Sequence, residues 1–542
     1  MNKNGLIYDV EDKPKLSKLI VFAFQQVLAI MAATIAVPTI IGLPTQIPAA
    51  LLGAGIGTIV YLLFTKFKSP VFLGSSFAFL NSLFVATTFG YCGILVGSIF
   101  AGLVYVVLAI VIHFAGTKWV SKLLPPVIIG PTVALIGLSL AGSAMGDIVK
   151  ANASTINGGY NLVALLCGLV AFITIVICSS QKKFKTMKLI PFIIGIGVGY
   201  VCAAFFSIFG YAFDADYLKI INFDPLVSNF VVTAEDGAKS FVGFTAFLNY
   251  PRFGLIEAIK EMANIDGATM LLNGAGVAEV AIAFIPVALV VFAEHIADHK
   301  NLGSIICRDL VEGEPGLEKT LLGDGVGSIA GTIFGICPNT TYGESVGCVA
   351  ITKNASVRTI FVAAIMCICL SFISPIMALL QTIPSCVMGG VCLTLYGFIA
   401  VSGLKMFKNI DLGDNKNLFT VSAILIAGIG GLSIQIPYKV FGEDTIIEKV
   451  QGNVTTLTAY SKGAVSNAIT ITSIATALIL GIVVYAIMNA LEKKNAEVAP
   501  EAGDEGAPES LVAGAVAPDA SFELKGEDKA EEVAATESTD QE

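Results

Sequence analysis

Long runs of apolar residues, separated by short polar connections, recur along the first 490 residues of the chain. A helix that spans a bilayer needs about 20 mostly apolar residues, and we find fourteen candidate segments bounded by charged residues, Pro or Gly. The segments fall near residues 17–41, 47–65, 70–90, 92–116, 123–143, 159–180, 188–212, 277–297, 320–337, 339–352, 356–381, 384–404, 416–434 and 465–491. The tenth segment is too short and too polar for an ordinary spanning helix. The pattern predicts an all-α polytopic membrane protein with fourteen transmembrane segments.

Lys and Arg residues alternate between successive connections. The connections after segments 2, 4, 6, 8, 10 and 12 hold sixteen of them, whereas the short connections after segments 1, 3, 5, 9 and 11 hold only Lys150. Because basic residues concentrate in cytoplasmic connections, we expect a multi-pass protein of the plasma (inner) membrane with both termini in the cytoplasm, including a cytoplasmic N-terminal segment, 1–16. The long connections 213–276 and 435–464 are then outside. A weakly amphipathic stretch near 254–264 predicts a short surface helix in the first of them.

Composition supports a membrane protein and places most of the acidity in one tail. Of the 542 residues, 55% are hydrophobic and 13% are charged, about half the charged fraction of an ordinary soluble domain. Residues 495–542 carry fourteen Asp and Glu against Lys525 and Lys529, which predicts a disordered, acidic cytoplasmic tail after the transporter body at 17–494. The eleven Cys residues show no paired spacing, so we expect no disulfide framework, metal site or cofactor.

Segments 3 and 10 open with similar patterns, and so do segments 5 and 12, at the same offset of seven. The first pair reads Pro-Val-Phe-Leu-Gly-Ser-Ser-Phe at 70–77 and Pro-Asn-Thr-Thr-Tyr-Gly-Glu-Ser at 338–345. An odd offset inverts the second copy, which predicts a 7+7 inverted repeat. We expect short extended stretches at 71–73 and 339–342 to break segments 3 and 10 and to pair with each other. Such backbone is tolerated at membrane depth only inside protein or beside a cavity, so a solute site is expected there.

Few acidic residues lie within the apolar segments. Glu294 and Asp298 are four residues apart in segment 8 and therefore share one helix face, and Glu344 follows the break in segment 10. Each such acid costs on the order of 3 kcal/mol and marks a path for a solute or a proton. We expect Asp324, near the start of segment 9, to cap its helix or to lie at the cytoplasmic interface, and His295 to be structural.

These groups suit a neutral, planar solute with amide-like N–H and C=O groups. The backbone N–H groups of Phe77 and Gly343 would donate to its carbonyls, and the carboxylates of Glu294 and Glu344 would accept from its N–H groups. The rings of Phe77 and Tyr342 would stack against it or wall it. Because a carboxylate removed from water binds a proton more readily, the same site would couple transport to a proton gradient.

Three strings in these segments resemble bacterial uracil permeases of the nucleobase–ascorbate transporter family over about residues 15–490. They are Gly74-Ser-Ser-Phe-Ala-Phe79, Ala293-Glu-His-Ile296 and Pro338-Asn-Thr-Thr-Tyr-Gly-Glu344. The resemblance implies a proton-coupled uracil importer that forms a homodimer in the lipid bilayer. It also implies a core domain of segments 1–4 and 8–11 and a gate domain of segments 5–7 and 12–14. Those domains cover about 17–116 with 277–381, and about 123–212 with 384–491.

The resemblance also assigns site residues. It places substrate contacts on Ser76 and Phe77, on Glu294, and on Gly343 and Glu344. These positions coincide with those chosen from the residues themselves. The candidates for proton coupling are the three acids Glu294, Asp298 and Glu344.

The chain departs from the family pattern at three positions. Asp298 and Gln26 stand where uracil permeases usually have His, and Ser345 stands where they have Asn. Asp298 is closer to the xanthine and urate branch, whereas the Tyr-Gly-Glu string favours uracil because the purine branch typically carries Gln-Asn there. From its position within segment 1, Gln26 is expected to make a hydrogen bond between helices.

The sequence therefore favours a uracil and proton symporter that works by alternating access. A symporter for xanthine or another purine, and an anion channel or exchanger on the same inverted repeat, remain open. Two acids at mid-membrane argue against an anion pathway. No metalloprotease, serine hydrolase or phosphate-binding motif occurs, so neither an enzyme nor a nucleic-acid partner is expected.

Overall fold

The computed structural model describes residues 5–151, 160–181, 187, 190–233, 239–263, 274–440, 446–451, 454–459 and 465–498. The chain forms two compact units, residues 1–489 and residues 490–542. Of the predicted acidic tail, residues 495–498 continue the last helix, and residues 499–542 lie outside the described residues. The four Lys residues counted after segment 6 also lie outside them.

The N-terminal half is a series of apolar helices connected by short turns. The helices are α1 (Leu16–Ile40), α2 (Ile47–Phe64), α3 (Leu80–Thr87), α4 (Gly90–Ala115), α5 (Lys118–Leu123), α6 (Pro126–Ser139), α7 (Ala141–Ile148), α8 (Leu162–Ser180) and α9 (Pro191–Ala212). Strand β1 (Leu73–Ser75) precedes α3. Helices α2, α6 and α9 each have Pro in the first turn, where its missing N–H breaks no helical hydrogen bond.

The C-terminal half continues in the same way after a connection of mixed structure. That connection contains α10 (Asp224–Phe230), β2 (Val231–Thr233), β3 (Lys239–Phe241) and α11 (Gly254–Ala263). The elements that follow are α12 (Gly274–Ile306), α13 (Leu317–Phe334), β4 (Asn339–Thr341), α14 (Gly343–Thr352), α15 (Val357–Ser371), α16 (Ser374–Gln381), α17 (Ser385–Lys405), α18 (Asn415–Ile429), β5 (Ile434–Val440), β6 (Ile446–Gln451), β7 (Val454–Ala459), β8 (Val465–Ile471) and α19 (Ser473–Val498).

The helical membrane fold predicted from the apolar pattern is confirmed. Within the described part of the chain, nine helices are long and apolar enough to cross a membrane. The count of fourteen segments stays a prediction, because α3 and α14 are short and α15 and α18 have 15 residues each. The surface helix expected near 254–264 is present as α11.

Two segment boundaries were predicted wrongly. Residues 465–471, assigned to the last spanning helix, form β8, which pairs antiparallel with β5. Four of its seven residues are β-branched (Val, Ile and Thr), a composition typical of a strand. Segment 8 was expected to end near 297, but α12 continues to Ile306. The polar residues in its last turns find buried partners, described below, so they do not end the helix.

The two predicted breaks contain a short pair of antiparallel strands. In β1 and β4, Leu73 pairs with Thr341 and Ser75 pairs with Asn339. A hydrogen bond from Ser76 N to the Pro338 carbonyl, at 3.0 Å, extends the pair. Helix α14 follows β4 at once, whereas residues 76–79 separate β1 from α3. Each strand end is therefore tied to the other repeat.

A close approach of helices α2 and α13 holds the strand pair from behind. The side-chain amide of Asn339 donates to the Gly53 carbonyl at 2.9 Å. A Cβ atom on Gly57 would lie 2.5 Å from Asn339 Nδ2 and 2.8 Å from the Gly327 carbonyl oxygen. Glycine at 57 is therefore required by the space between α2, α13 and β4.

The helices pack most extensively in two groups. Helix α2 packs against α13 and α15, α4 against α12 and α13, and α1 against α15. In the second group, α17 packs against α6, α7 and α8, while α9 packs against α8 and α18 against α6. Contacts of α12 with α6 and of α1 with α17 join the two groups. The strand pair belongs with the first group, since it contacts α1, α2, α12 and α13.

The N-terminal residues form a strap across the connections that follow α12 and α14. The Ile7 N–H donates to the Lys353 carbonyl at 2.7 Å, and the Val357 N–H donates to the Val10 carbonyl at 3.0 Å. Arg308, just after α12, forms an ion pair with Asp9. These contacts place the N-terminus on the same face as the connections after segments 8 and 10.

Candidate functional site

The acidic residues of α12 lie deep within a long helix. Glu294 is half-buried and lies 12 residues before the last residue of α12, about 18 Å along the helix axis. Asp298 is only 7% exposed. Neither carboxylate lies at the end of the helix.

Asp298 connects α12 to the strand pair. Its Oδ2 accepts a hydrogen bond from the Thr341 hydroxyl of β4 at 2.8 Å. Its Oδ1 faces the first residue of α14, since a Cβ atom on Gly343 would lie 3.7 Å from it. A carboxylate that accepts from a neighbouring hydroxyl is held in one orientation, so Asp298 fixes β4 relative to α12.

The third acid comes from another helix of the same repeat. Glu344 lies in the first turn of α14 and is half-buried, and Gly343 before it is exposed. The carboxylates of Glu294, Asp298 and Glu344 are close enough to interact electrostatically. The N–H groups in the first turn of a helix have no partner within the helix, so α14 brings both donors and an acceptor to the site.

Residues 76 and 77 directly follow β1. The Ser76 N–H is used by the Pro338 carbonyl, while the Ser76 hydroxyl is buried and has no hydrogen-bond partner among the described residues. The Phe77 side chain is 6% exposed and meets the ring of Tyr396 on α17 edge to face, with centroids 5.5 Å apart. Ser76 is therefore able to donate through its side chain, and Phe77 forms a contact between the two helix groups.

Tyr342 is engaged within the protein. Its hydroxyl donates to the Ser75 carbonyl at 3.0 Å, and the Thr34 hydroxyl of α1 lies 3.5 Å away. Its ring covers Gly74, where a Cβ atom would lie 2.3 Å from the ring. In this conformation Tyr342 fastens β1 to α14, and the contact of its ring with a solute stays a prediction.

The departures from the family pattern at 26 and 345 form one hydrogen-bonded unit. Gln26 Nε2 of α1 donates to the Ser345 hydroxyl of α14 at 2.5 Å, and the Phe72 N–H donates to the same oxygen at 3.1 Å. The hydrogen bond between helices predicted for Gln26 is thus confirmed. This hydrogen bond ties α1 to α14 at Ser345, the residue that follows Glu344.

The prediction for Asp324 was wrong. Asp324 is fully buried within α13, and its Oδ2 lies 2.7 Å from His295 Nδ1 of α12. His295 Nε2 lies 3.1 Å from the Thr320 hydroxyl. Helix α13 begins at Leu317, so Asp324 is two turns inside it and cannot cap it. His295 has the structural role expected of it, since both ring nitrogens have partners.

Two residues at the site were not found from the sequence, and one was found but misplaced. Thr341 and Tyr396 carry no charge and lie in ordinary apolar or strand-forming surroundings. Asp324 was found but misplaced. The one signal available was the alternation of β4, which puts Thr340 and Thr341 on opposite faces of the strand.

Comparison with known proteins gives the family of the chain. The model of the Permease family matches residues 17–436. The uracil permease of Bacillus caldolyticus is 36% identical over 436 residues, which cover 80% of this chain and 90% of that protein. The uracil permease of Escherichia coli (strain K12) is 32% identical, and the match covers 79% of this chain and 88% of that protein.

Two solved structures share the fold at much lower identity. The transmembrane domain of the cyanobacterial bicarbonate transporter BicA aligns with a TM-score of 0.52 and 13% identity, covering 78% of this chain and 99% of that one. The murine Solute Carrier 26 family member A9 anion transporter, in its inward-facing state, aligns with a TM-score of 0.55 and 8% identity, covering 89% of this chain and 69% of that one. These likenesses establish the fold alone. Because the family match covers most of the chain and relatives exceed 30% identity over four fifths of it, the protein belongs to the Permease family, and its resemblance to bacterial uracil permeases is confirmed.

Proposed function

We propose that the protein is a secondary transporter that imports uracil together with a proton across the plasma membrane. The proposal rests on one observation: the carboxylates of Glu294, Asp298 and Glu344 gather beside two paired strands within a helical membrane protein. The uracil permeases among its relatives support the choice of solute.

Uracil matches the groups that the site offers. Its planar ring alternates two N–H donors with two carbonyl acceptors. In our proposal Glu294 and Glu344 accept from the ring N–H groups, because a carboxylate makes the stronger hydrogen bonds of this kind. The Gly343 and Phe77 N–H groups and the Ser76 hydroxyl donate to the carbonyls. Tyr342 holds β1 against α14 in this scheme, and its ring would wall the solute.

Proton coupling follows from crowding three acids into one partly buried site. Like charges at close range cannot all be ionised without a large electrostatic cost. We propose that a proton shared by Glu294, Asp298 and Glu344 enters with uracil and leaves with it. Because Asp298 accepts a hydrogen bond from Thr341, a change in the charge of the three acids would alter the hydrogen bond that holds β4.

Transport requires the site to open alternately to each side. We propose that the first helix group, with both strands, is the core domain and that the second group is the gate domain, which rock against each other across contacts such as Phe77 with Tyr396. Both termini would be cytoplasmic. The N-terminal strap supports this orientation, because it joins two connections rich in basic residues. Following the family resemblance, we propose that two copies form a homodimer in the bilayer.

Two other solutes are compatible with the fold. Asp298 at the position where uracil permeases usually have His favours a test of xanthine and other purines. The likeness to a bicarbonate transporter and an anion transporter raises an anion as the second candidate. Three carboxylates at the site would repel an anion, so we rank it below a neutral nucleobase.

The decisive experiment measures uracil binding and uptake together. Binding of uracil, xanthine and bicarbonate to the purified protein is measured by calorimetry, and uptake of labelled uracil is followed in cells that lack their own nucleobase permeases. We expect uracil to bind, and we expect its uptake to fall when the proton gradient is dissipated by an uncoupler. Glu294→Gln should abolish uptake.

A matched control uses the same substitution at a surface position. Glu318 on α13 lies near the surface and pairs with His113, so Glu318→Gln should transport normally. Tight binding of xanthine without binding of uracil would show that the solute is a purine and not uracil. Normal uptake by Glu294→Gln would show that the acid cluster is not the binding site.

A further inference from the structure

Helix α11, in the connection between α9 and α12, turns an apolar face away from the protein. Successive residues of a helix point about 100° apart, which divides α11 into three sides. One side is buried against the protein and holds Gly254 and Ala258. The next side spans about 120°, and its apolar side chains are between 39% and 62% exposed: Leu255, Ile256, Ile259 and Met262. The charged residues occupy the remaining side: Glu257, Lys260 and Glu261.

Contacts with two neighbouring helices fix the depth of α11. Near its end, Glu261 Oε2 accepts a hydrogen bond from the Tyr91 N–H, in the first turn of α4, at 2.7 Å. At its start, a Cβ atom on Gly254 would lie 2.4 Å from the carbonyl oxygen of Gly335, just after α13. Helix α4 has 26 residues, which is about 39 Å and longer than the hydrocarbon core of a bilayer, about 30 Å. The first turn of α4, and α11 with it, therefore lies at the level of the lipid headgroups.

The surroundings of α11 are typical of a boundary with lipid. Helix α4 exposes Leu103, Val107 and Ile110, as a helix that borders lipid does. In the stretch before α11, Phe244 and Tyr250 are 84% and 72% exposed, and exposed aromatic rings favour the interface between lipid and water. Proteins surrounded by water rarely leave apolar patches of this kind uncovered. Both the position and the side chains thus favour lipid as the partner of the apolar face.

We propose that α11 is an interfacial anchor, which lies in the headgroup region of the bilayer with its apolar face toward the acyl chains. Amphipathic helices bind lipid surfaces in this way without crossing them. The charged side then faces water, where Lys260 forms an exposed ion pair with Glu257. The anchor would contact the outer leaflet. That choice of leaflet rests on the orientation proposed above, whereas the contact with lipid does not.

The anchor would act on the first helix group. Helix α11 packs against α4 and α13, which both belong to that group, and it makes no comparable contact with the second group among the described residues. Glu261 satisfies an N–H group in the first turn of α4 that has no partner within the helix. Lipid that holds α11 therefore holds the outer end of α4. This contact requires neither uracil nor a proton.

The test places a single fluorescent side chain on the apolar face. The chain contains one Trp, Trp119, so Trp119→Phe provides a background without Trp, and Ile259→Trp is added to it. The full-length protein is reconstituted in phosphatidylcholine vesicles whose acyl chains carry bromine, a quencher of Trp fluorescence, either near the headgroup or near the methyl end. We expect bromine near the headgroup to lower the fluorescence of Ile259→Trp by about 2-fold or more. Bromine near the methyl end should have a smaller effect.

Lys260→Trp in the same background is the matched control. Lys260 is adjacent to Ile259 and is also exposed, but its side chain points about 100° away, toward the charged side. Brominated lipid should quench Lys260→Trp less than Ile259→Trp. Acrylamide, a neutral quencher dissolved in the water, should show the opposite order. Met262→Trp, on the apolar face, should repeat the result of Ile259→Trp and replaces it if that variant does not fold.

The outcomes separate this inference from the proposed function. Quenching of Ile259→Trp or Met262→Trp by brominated lipid, with the control quenched less, supports the anchor even if uracil proves not to be the solute. Protection of the apolar face from both quenchers would show that a second copy or another part of the chain covers it, and would overturn the anchor. Quenching by acrylamide alone would place α11 in water and also overturn it. Binding of uracil in either of these cases leaves the proposed function standing.

Discussion

Replacing Glu294 by Gln keeps the size of the side chain and removes one negative charge from the acid cluster. The carboxamide still offers one carbonyl oxygen to a ring N–H group of uracil. It loses the charge that strengthens this hydrogen bond. It also presents an NH₂ group, which can donate hydrogen bonds to Asp298 and Glu344. The substitution should therefore affect binding and stability in opposite directions.

The size of each effect follows from the surroundings of Glu294. A hydrogen bond to a charged group contributes about 1.5–3 kcal/mol, so uracil should bind about 10- to 150-fold more weakly. Without uracil, Glu294 is half-buried beside two other carboxylates. Like charges in such a setting repel each other by about 2 kcal/mol. Removing one of them should make the free protein more stable.

Both quantities are measurable on the same sample. Calorimetry gives the dissociation constant for uracil, and a thermal melt without ligand gives the change in stability. We expect Glu294→Gln to weaken uracil binding while raising the melting temperature. Weaker binding with a lower melting temperature would mean that the variant is merely damaged. Binding within about 3-fold of the unmodified protein would refute a contact between Glu294 and uracil, because 3-fold is well below the expected loss.

Three further substitutions test how the site is held. Thr341→Val removes the hydroxyl that orients Asp298 and should weaken uracil binding by about 5- to 20-fold, as measured by calorimetry. In a thermal melt, its melting temperature should stay within about 2 °C of that of the unmodified protein. Gly74→Ala places a methyl group into the ring of Tyr342 and should destabilise the protein by about 1–3 kcal/mol, which lowers its yield and its melting temperature. An unchanged melting temperature would contradict this packing. Gln26→Leu removes the hydrogen bond from α1 to α14 and should cost about 1–2 kcal/mol in a denaturant titration, whereas an unchanged midpoint would show that the bond contributes nothing.

The sequence predicted those parts of the site that lie on one element. Glu294 and Asp298 are four residues apart, and the helical period alone puts them on one face of α12. The short polar stretches before α3 and α14 also stood out, because Pro and Gly interrupt otherwise apolar segments. The structure has strands at 73–75 and 339–341, so β1 lies two residues later than the predicted stretch 71–73, with which it shares only Leu73.

Contacts between distant elements were beyond the reach of the sequence. Asp324 and His295 are 29 residues apart on different helices, and nothing in the local pattern indicates that they meet. Tyr342 was expected to wall the solute, and the sequence did not indicate that the glycine at 74 leaves room for its ring against β1. Its use depends on the register of two strands that are some 270 residues apart. Pairing of this kind is set by packing in three dimensions, which local propensities do not encode.

The fold alone does not decide what the protein carries. Two structures that share its fold are described as a bicarbonate transporter and an anion transporter, at 13% and 8% identity, and one fold commonly supports different activities through different sites. The sign of the charge near the strand pair is therefore the better guide. Here Glu294 and Asp298 of α12 lie close to Glu344 of α14, so an anion would be repelled, whereas a neutral solute with N–H groups, or a cation, would be attracted. Reversing that preference should require changes at these acids and not in the helices that carry them.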